Sequence, residues 1–298
     1  MCITQYLLKY LFIFILFSGL VSTEMSFDQH IHSQILQTGK EENSLSILSW
    51  NIKMHSPPYG WFYNSIDKAE NIIQTLKKSG IYDVILFQEA FSSKIRNKIY
   101  NSLKDIYPHQ ININDGTIFY KMNSGLWVIS SVPITLIDNI NFTELRHTDW
   151  LSSKGAHLYS VIKINQEFHI INTHMQADYE TTYSDIRTSQ YTEIQEKLIL
   201  PNENSAIPLI LCGDLNISKQ SKLNQMLEKL NFINGPLLGE LRHSSLSENH
   251  ELLDYILVKT KQFKFQSVER RIQNMSVYLA IDPIQLSDHY PIEGIFKW

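Results

Sequence analysis

The chain has 298 residues, of which 43% are hydrophobic and 19% charged, and a formal net charge of −4. That length suits one large domain or two small ones, and the composition excludes a charge-rich disordered chain. With no surplus or run of Lys and Arg, an electrostatic grip on nucleic acid is disfavoured as the main activity, leaving only a local basic groove as a route to it.

Residues 6–21 are almost all apolar, with Lys9 their only charge. Residues 11–20 serve as the apolar centre of a secretory signal, and Ser18-Gly19 and Ser22-Thr23 supply small residues for cleavage near Ser22–Glu24. The run is shorter than the roughly 20 residues a comfortable membrane span needs, which favours cleavage over an uncleaved anchor. Residues 1–23 are therefore expected to be a signal and the protein secreted. Residues 24–44 read as a polar leader and 45–298 as one domain.

From residue 45 strands and helices alternate. A strand over 45–51 precedes a helix over 66–78, whose Ile66, Ala69, Ile72, Ile73 and Leu76 share one face. A strand over 83–87 and a helix over 93–103 follow. Strands are expected over 117–121, 125–130, 134–139, 156–164, 167–173 and 207–212, with helices over 183–198 and 219–230. Strands return over 252–258, 263–269 and 292–296. No linker or repeat interrupts this stretch, so one α/β domain with mixed sheets is the economical reading. Cys2 lies in the expected signal, and Cys212 reads as a packing residue of a buried strand.

Six segments share one pattern, an apolar strand with polar residues at its end. They are Ser49-Trp50-Asn51, Phe87-Gln88-Glu89, Asn172 to Gln176, Gly213-Asp214-Leu215-Asn216, Leu253-Asp254-Tyr255 and Ser287-Asp288-His289. Side chains two apart on an extended segment share a side, so Asp214 and Asn216 act together. Polar groups at strand ends of an α/β protein line one crevice. Taken singly, each residue has a bland reading. Glu89 could cap a helix, Asn51 could sit in a turn, His174 could be a satisfied interior histidine and Asp254 could be solvated. Asp214 and Asn216 could form an Asx-turn.

The ordered set resembles the endonuclease/exonuclease/phosphatase superfamily, whose members hydrolyse phosphate esters with a divalent metal. Within it, Thr173-His174-Met175-Gln176-Ala177 looks like the neutral sphingomyelinase branch. So do Arg187-Thr188-Ser189-Gln190, Glu193-Ile194-Gln195, Asp149-Trp150 and Lys154-Gly155. Abasic-site endonucleases carry Tyr where His174 stands. The resemblance implies a DNase-I-like α/β fold, a four-layer sandwich of two mixed β-sheets flanked by helices. It also implies Mg²⁺, with Mn²⁺ or Co²⁺ as alternatives, and a phospholipid substrate at a membrane surface.

Chemistry assigns roles beside the resemblance. Hydrolysis of a phosphodiester needs charge neutralised on the non-bridging oxygens, an activated water and help for the leaving oxygen. Glu89 is the leading metal ligand, because a hard cation takes few carboxylates and keeps several waters. Asn51 orients that carboxylate, joins the metal shell or touches phosphate, and Asp288 lies near the metal. His289 is the natural general base. Asp254 matches the family residue that holds this histidine's other nitrogen, and whether His or Asp is the base stays open. Asp214 and Asn216 position water or phosphate, and His174 donates to a phosphate oxygen.

Other features allow two readings. The aromatic loop 55–63 could enter a lipid interface or pack on the core. Lys154 could reach phosphate or be an ordinary surface lysine. Secreted bacterial sphingomyelinases carry an exposed hairpin with adjacent aromatics before the terminal Ser-Asp-His. Here that region offers Phe263, Phe265 and Tyr278 without a Trp-Phe pair, and Arg270-Arg271 that could attract an anionic surface. Rival readings are a DNase-I-like nuclease, an inositol-phosphate phosphatase and a non-catalytic binding protein on the same scaffold.

Overall fold

Alternation sorts the side chains of β1 (Ser44–Met54) onto two buried faces. Leu45 and Ile47 enter one apolar layer; Leu48, Trp50 and Ile52 enter another. Strand β2 (Val84–Ala90) divides the same way, with Val84 and Leu86 on the first face and Ile85 and Phe87 on the second. Both faces being apolar, these strands read as continuous hydrophobic runs. The computed structural model describes residues 43–55, 65–113, 121–279, 282–284 and 286–298, and Asn43–Trp298 forms one compact unit. The expected signal, nearly all of the leader, most of the aromatic loop and most of the strand expected over 117–121 lie outside the described residues.

Helices α1 (Ser65–Lys78) and α2 (Ser93–Leu103) cover the second face through Ala69, Ile72, Ile73, Leu76, Ile95, Ile99 and Leu103. Asp67 in the first turn of α1 and Lys77 and Lys78 in its last complement the helix dipole. Ile66, expected on the buried face, is exposed: it sits in the first turn, where the stripe has not yet reached the sheet.

The remaining strands are β3 (His109–Ile111), β4 (Trp127–Ser130), β5 (Ile134–Asn141), β6 (Gly155–Lys163), β7 (Gln166–His174), β8 (Leu209–Asp214), β9 (Leu237–Leu238), β10 (Asp254–Lys259), β11 (Ser267–Ile272), β12 (Val277–Leu279), β13 (Asp282–Ile284) and β14 (Ile292–Lys297). One mixed sheet runs β3-β4-β2-β1-β14-β11-β9, a second runs β10-β8-β7-β6-β5, and β12-β13 forms a separate hairpin. The sheets meet through a layer containing Leu45, Ile47, Val84, Leu86, Phe168, Ile170, Ile210, Cys212 and Ile256. The outer face of the second sheet (Leu158, Ile171, Leu211, Leu257) is covered by α3 (Ser184–Ile194) and α4 (Gln220–Leu230). The order is helix, sheet, sheet, helix, as the family resemblance implied, and Cys212 is buried in the middle layer.

Three differences from expectation have local causes. The helix expected over 183–198 ends at Ile194 and continues as a π-helical segment, Gln195–Ile199. The strand expected over 263–269 begins at Ser267. Phe263 and Phe265 instead form a ring cluster with Phe168, Phe296 and Trp298, so their apolar character serves the core and not a lipid-facing hairpin. Arg270 is buried and donates to the Gly235 carbonyl, which removes it from any anion-attracting surface.

Candidate active site

At one end of the inter-sheet layer the same inward rows turn polar. Leu45 and Ile47 are followed on their face by Ser49 and Asn51, Val84 and Leu86 by Gln88, Phe168 and Ile170 by Asn172 and His174, and Ile210 and Cys212 by Asp214. On antiparallel β10 the row runs in reverse from Val258 and Ile256 to Asp254, which pairs directly with Asp214. Gln88 Nε2 closes the apolar part by donating to Ser49 Oγ (3.1 Å) and Asn172 Oδ1 (2.7 Å). The candidate groups lie beyond this amide layer.

Strict alternation would place Glu89 with Ile85 and Phe87 under the helices. Its left-handed backbone (φ 54°) turns the carboxylate onto Asn51, whose Nδ2 donates to Glu89 Oε1 (3.1 Å) and to Asp214 Oδ2 (3.0 Å). Asn51 Oδ1 accepts from the Lys53 N–H at 3.2 Å. Asn51 is thus a neutral bridge between two carboxylates. Gly213 has φ 138°, and a Cβ there would lie 1.9 Å from the Thr173 carbonyl, so glycine alone lets β8 approach β7 where Asp214 begins its turn.

Asp254 Oδ2 lies 2.7 Å from His289 Nδ1, and His289 Nε2 lies 3.8 Å from Asp214 Oδ2. The buried carboxylate fixes the ring with its proton on Nδ1, leaving Nε2 toward the site. Ser287 Oγ donates to the Asn51 carbonyl (2.6 Å), tying the terminal segment to β1. Burial works to lower the His289 pKa, but the charges of Asp254 and Asp214, the Asp254 hydrogen bond and the charge of Asp288 outweigh it and push it up to about 10. Burial first, then the Asp254 charge, push Asp214 up to about 7, against the pull of His289, Lys154 and the Asn51 amide. Each acts on the other: the Asp214 charge raises the imidazole, and the His289 charge holds the carboxyl down.

His174 is fully buried, with Nε2 2.8 Å from Lys154 Nζ and 3.6 Å from Asp214 Oδ2. Burial, then the charges of Lys154 and His289, hold its pKa well below the ordinary value. A neutral ring that accepts from Lys154 at Nε2 carries its proton on Nδ1, and Nδ1 has no partner among the described residues. Lys154 is not the surface lysine that one reading of the sequence expected. It is buried, and its ammonium is held by Asp149 Oδ2 (2.9 Å) as well as His174, because an unpaired charge could not be buried at this depth. Asp149 also accepts from Tyr179 OH (2.7 Å) and the Ala177 N–H (2.9 Å). Arg187 Nη1 donates to the Gln176 carbonyl, and Gln190 Oε1 accepts from the Gln176 N–H, both at 2.9 Å. The scattered branch signature thus becomes one brace behind His174.

Asn216 has φ 52°; its N–H donates to Asp214 Oδ1 and its Nδ2 to the Met175 carbonyl, both at 3.0 Å. The Asx-turn is therefore present, and it aims Asp214. Asp288 sits at the edge of the site, its Oδ2 2.6 Å from Lys53 Nζ. Burial works to raise the Asp288 pKa, but the Lys53 hydrogen bond and the charges of His289 and Lys53 bring it below the ordinary value. Lys68 donates to the Lys53 carbonyl (3.2 Å), and burial lowers its amine to about 8.

Asn51, Glu89, Asp214, His174, Asp254 and His289 are thus linked by successive contacts no longer than 3.8 Å. Sequence reasoning missed Lys53, Lys68, the depth of the Asp149–Lys154 pair and the Gln88–Asn172 layer. Lys53 was within reach, two residues after Asn51.

Two places could hold a cation. Asp214, Asp254 and His289 offer ligand atoms within 4.8 Å of one another. Asp254 and His289 already hold each other there through Oδ2 and Nδ1, and both carboxylates are fully buried, which leaves little room for the waters a hard cation keeps. Glu89 is the better fit. Among the described residues only its Oε1 is hydrogen-bonded, and its Oε2 faces His55 Nε2 at 3.8 Å on the partly open side, which leaves room for a hard cation with several waters.

The endonuclease/exonuclease/phosphatase family model matches residues 48–289. Sphingomyelinase C from Listeria ivanovii is 26% identical over 71% of this chain and 74% of its own length. Sphingomyelinase C 2 from Leptospira interrogans is 26% identical over 71% of this chain but only 39% of its own length, so the likeness spans less than half of that relative. Among solved structures, a beta toxin mutant from Staphylococcus aureus with bound magnesium ions superposes with a TM-score of 0.71 at 23% identity, covering 86% of this chain and 100% of the toxin chain.

Proposed function

Because this chain belongs to the endonuclease/exonuclease/phosphatase family, we propose that it is a metal-dependent phosphodiesterase acting on a phospholipid head group, with sphingomyelin cleaved to ceramide and phosphocholine as the leading reaction. The observation that carries this is the unbroken contact chain from Glu89 through Asn51 and Asp214 to the His289–Asp254 dyad. The relatives named sphingomyelinase C support the lipid substrate, and the magnesium of beta toxin supports Mg²⁺ as the cation. The apolar segment 6–21 supports secretion.

A cation at Glu89 would neutralise non-bridging oxygens of the phosphate. His289 Nε2 takes the proton of the attacking water, with Asp254 steadying the imidazolium that forms. Such a cation would also counteract the carboxylate field that holds the His289 pKa high. Asp214, aimed by Asn216 and Asn51, orients the water. His174, backed by Lys154, offers Nδ1–H to a phosphate oxygen, which would satisfy a buried donor left without a partner. Asp288 is assigned to charge balance at the rim through Lys53.

Phosphocholine release from sphingomyelin vesicles tests the reading. Release should appear with Mg²⁺ and vanish with chelator. DNA and inositol phosphates serve as the comparison panel. Turnover of either of these, with none of sphingomyelin, would move the assignment to the corresponding rival.

A further inference from the structure

Strand β1 slips register between Asn51 and Met54, which face Gln88 and Ala90 of β2. Bulges of this kind recur beside active sites, where they re-aim a side chain. Ile52 and Lys53 lie inside the slip, and Lys53 sits in the left-handed region at φ 45°. Among the described residues, several of the other non-glycine positive-φ positions have ready explanations: Ile164 and Asn165 turn the β6–β7 hairpin, and Asn231 ends α4. Glu89 and Asn216 aim site groups, and Lys53 joins them in kind. Strain at such a position costs as much as or more than an exposed ion pair returns. The Lys53–Asp288 pair, with both side chains about two-fifths exposed, therefore does not explain the conformation by stability.

The surroundings show what the amine faces. Lys53 N–H bonds the Asn51 amide that bridges Glu89 and Asp214, and its Nζ holds Asp288, the neighbour of His289. Lys68 braces the Lys53 carbonyl from below. Four carboxylates (Glu89, Asp214, Asp254 and Asp288) converge here, and an anionic diester must approach them. Lys154 is buried against Asp149 and His174, whereas Lys53, paired with Asp288, is part-exposed at the edge of the site.

We propose that Lys53 Nζ is a direct ligand of the substrate phosphate: a non-bridging oxygen of a phosphodiester takes over the ammonium that Asp288 holds in the free protein. This rests on the phosphodiesterase reading above but not on the lipid. No covalent bond changes; one ion pair is exchanged for another.

Lys53→Met, Lys53→Arg and Lys53→Gly separate this from a structural role. Calorimetric binding of inorganic phosphate in the presence of Mg²⁺ and steady-state hydrolysis of bis(p-nitrophenyl) phosphate are the readouts. Met and Gly should each weaken phosphate binding and lower kcat/KM by about tenfold or more, the loss expected for one charge-assisted contact. Arg should recover most of both. Gly should melt at or above the wild-type temperature, since it adopts φ 45° without strain. Wild-type phosphate affinity in the Met and Gly variants, or no phosphate binding by the wild type, overturns the proposal. Loss of sphingomyelin turnover alone in the wild type, with the chromogenic diester still cleaved in a Lys53-dependent way, would retire the lipid reading and leave Lys53 in place.

Discussion

The inter-sheet layer ends in buried acids on both sides, and the two ends are built on opposite terms. At the end away from the site, Asp83 Oδ2 accepts from the Ser46 N–H (2.7 Å), Ser46 Oγ (3.0 Å) and Lys163 Nζ (2.6 Å). Its carbonyl accepts from Ser130 Oγ and the Ser131 N–H. At the other end Asp254 Oδ1, His174 Nδ1 and Gln88 Oε1 are buried without partners among the described residues. A buried polar atom without a partner costs about 1–3 kcal/mol. The same ingredients give a sealed pair at one end and unspent valences at the other. That asymmetry separates the structural end from the chemical one, and substitutions at each end should fail in opposite ways.

The sharpest break is Glu89→Gln. It keeps shape and removes one of the crowded charges, so the metal-free protein should melt no lower than wild type. Turnover should fall by about a thousandfold, on the scale of one essential electrostatic group. Mg²⁺ should raise the wild-type melting temperature, by the equivalent of about 2.7 kcal/mol at a hundredfold excess over Kd. It should not raise that of the variant. Scanning calorimetry with and without chelator reads both effects, and a variant still stabilised by Mg²⁺ would move the cation away from Glu89.

Asp83→Ala should show the mirror image. Removing one partner of a largely buried ion pair costs about 3 kcal/mol, while the site, a full layer away, keeps its geometry. The melting temperature should drop by roughly 5–10 °C with kcat per folded molecule unchanged. A fall in kcat would show that the two ends are coupled. Gly213→Ala lies between these extremes. The added methyl meets the Thr173 carbonyl, so the strand must shift at a cost of about 1–3 kcal/mol. Because the shift displaces Asp214, stability and turnover should fall together.

This contrast also marks what could be read from the chain. Polar residues at the ends of apolar runs located Asn51, Asp214 and Asp254, because alternation carries one face from core to crevice. The family signature gave the four layers. Glu89 was found by pattern, yet its direction was not legible: φ 54° reverses the alternation rule, and no local sequence feature encodes it. Lys154 looked ordinary because its burial depends on Asp149 and His174, which only folding brings beside it. The two-residue β9 was invisible for a simpler reason: it is too short to carry a period.

The smallest effect, and the most specific to the chemical end, is in the pH dependence of the metal-free protein. His289 is pushed up to about 10, so between its unfolded value near 6.5 and pH 10 the folded protein binds a proton the unfolded chain has lost. Its contribution is complete below about pH 6.5 and is lost as pH rises through about 10. Asp214, raised to about 7, has the same slope lower down, with stability falling as pH rises from about 4 to 7. Lys68 opposes both, because an amine lowered to about 8 gives rising stability between about 8 and its unfolded value near 10.5. A wild-type curve therefore mixes signs, and the difference between wild type and His289→Gln isolates the histidine. Measured in chelator, that difference should shrink between pH 7 and 10 by about 2 °C or more in melting temperature. With Mg²⁺ it should be smaller throughout, since a cation among the carboxylates removes the field that held the proton. A difference that stays constant from pH 7 to 10 in chelator would mean that His289 is an uncharged structural residue, and the chemical end would lose its proton carrier.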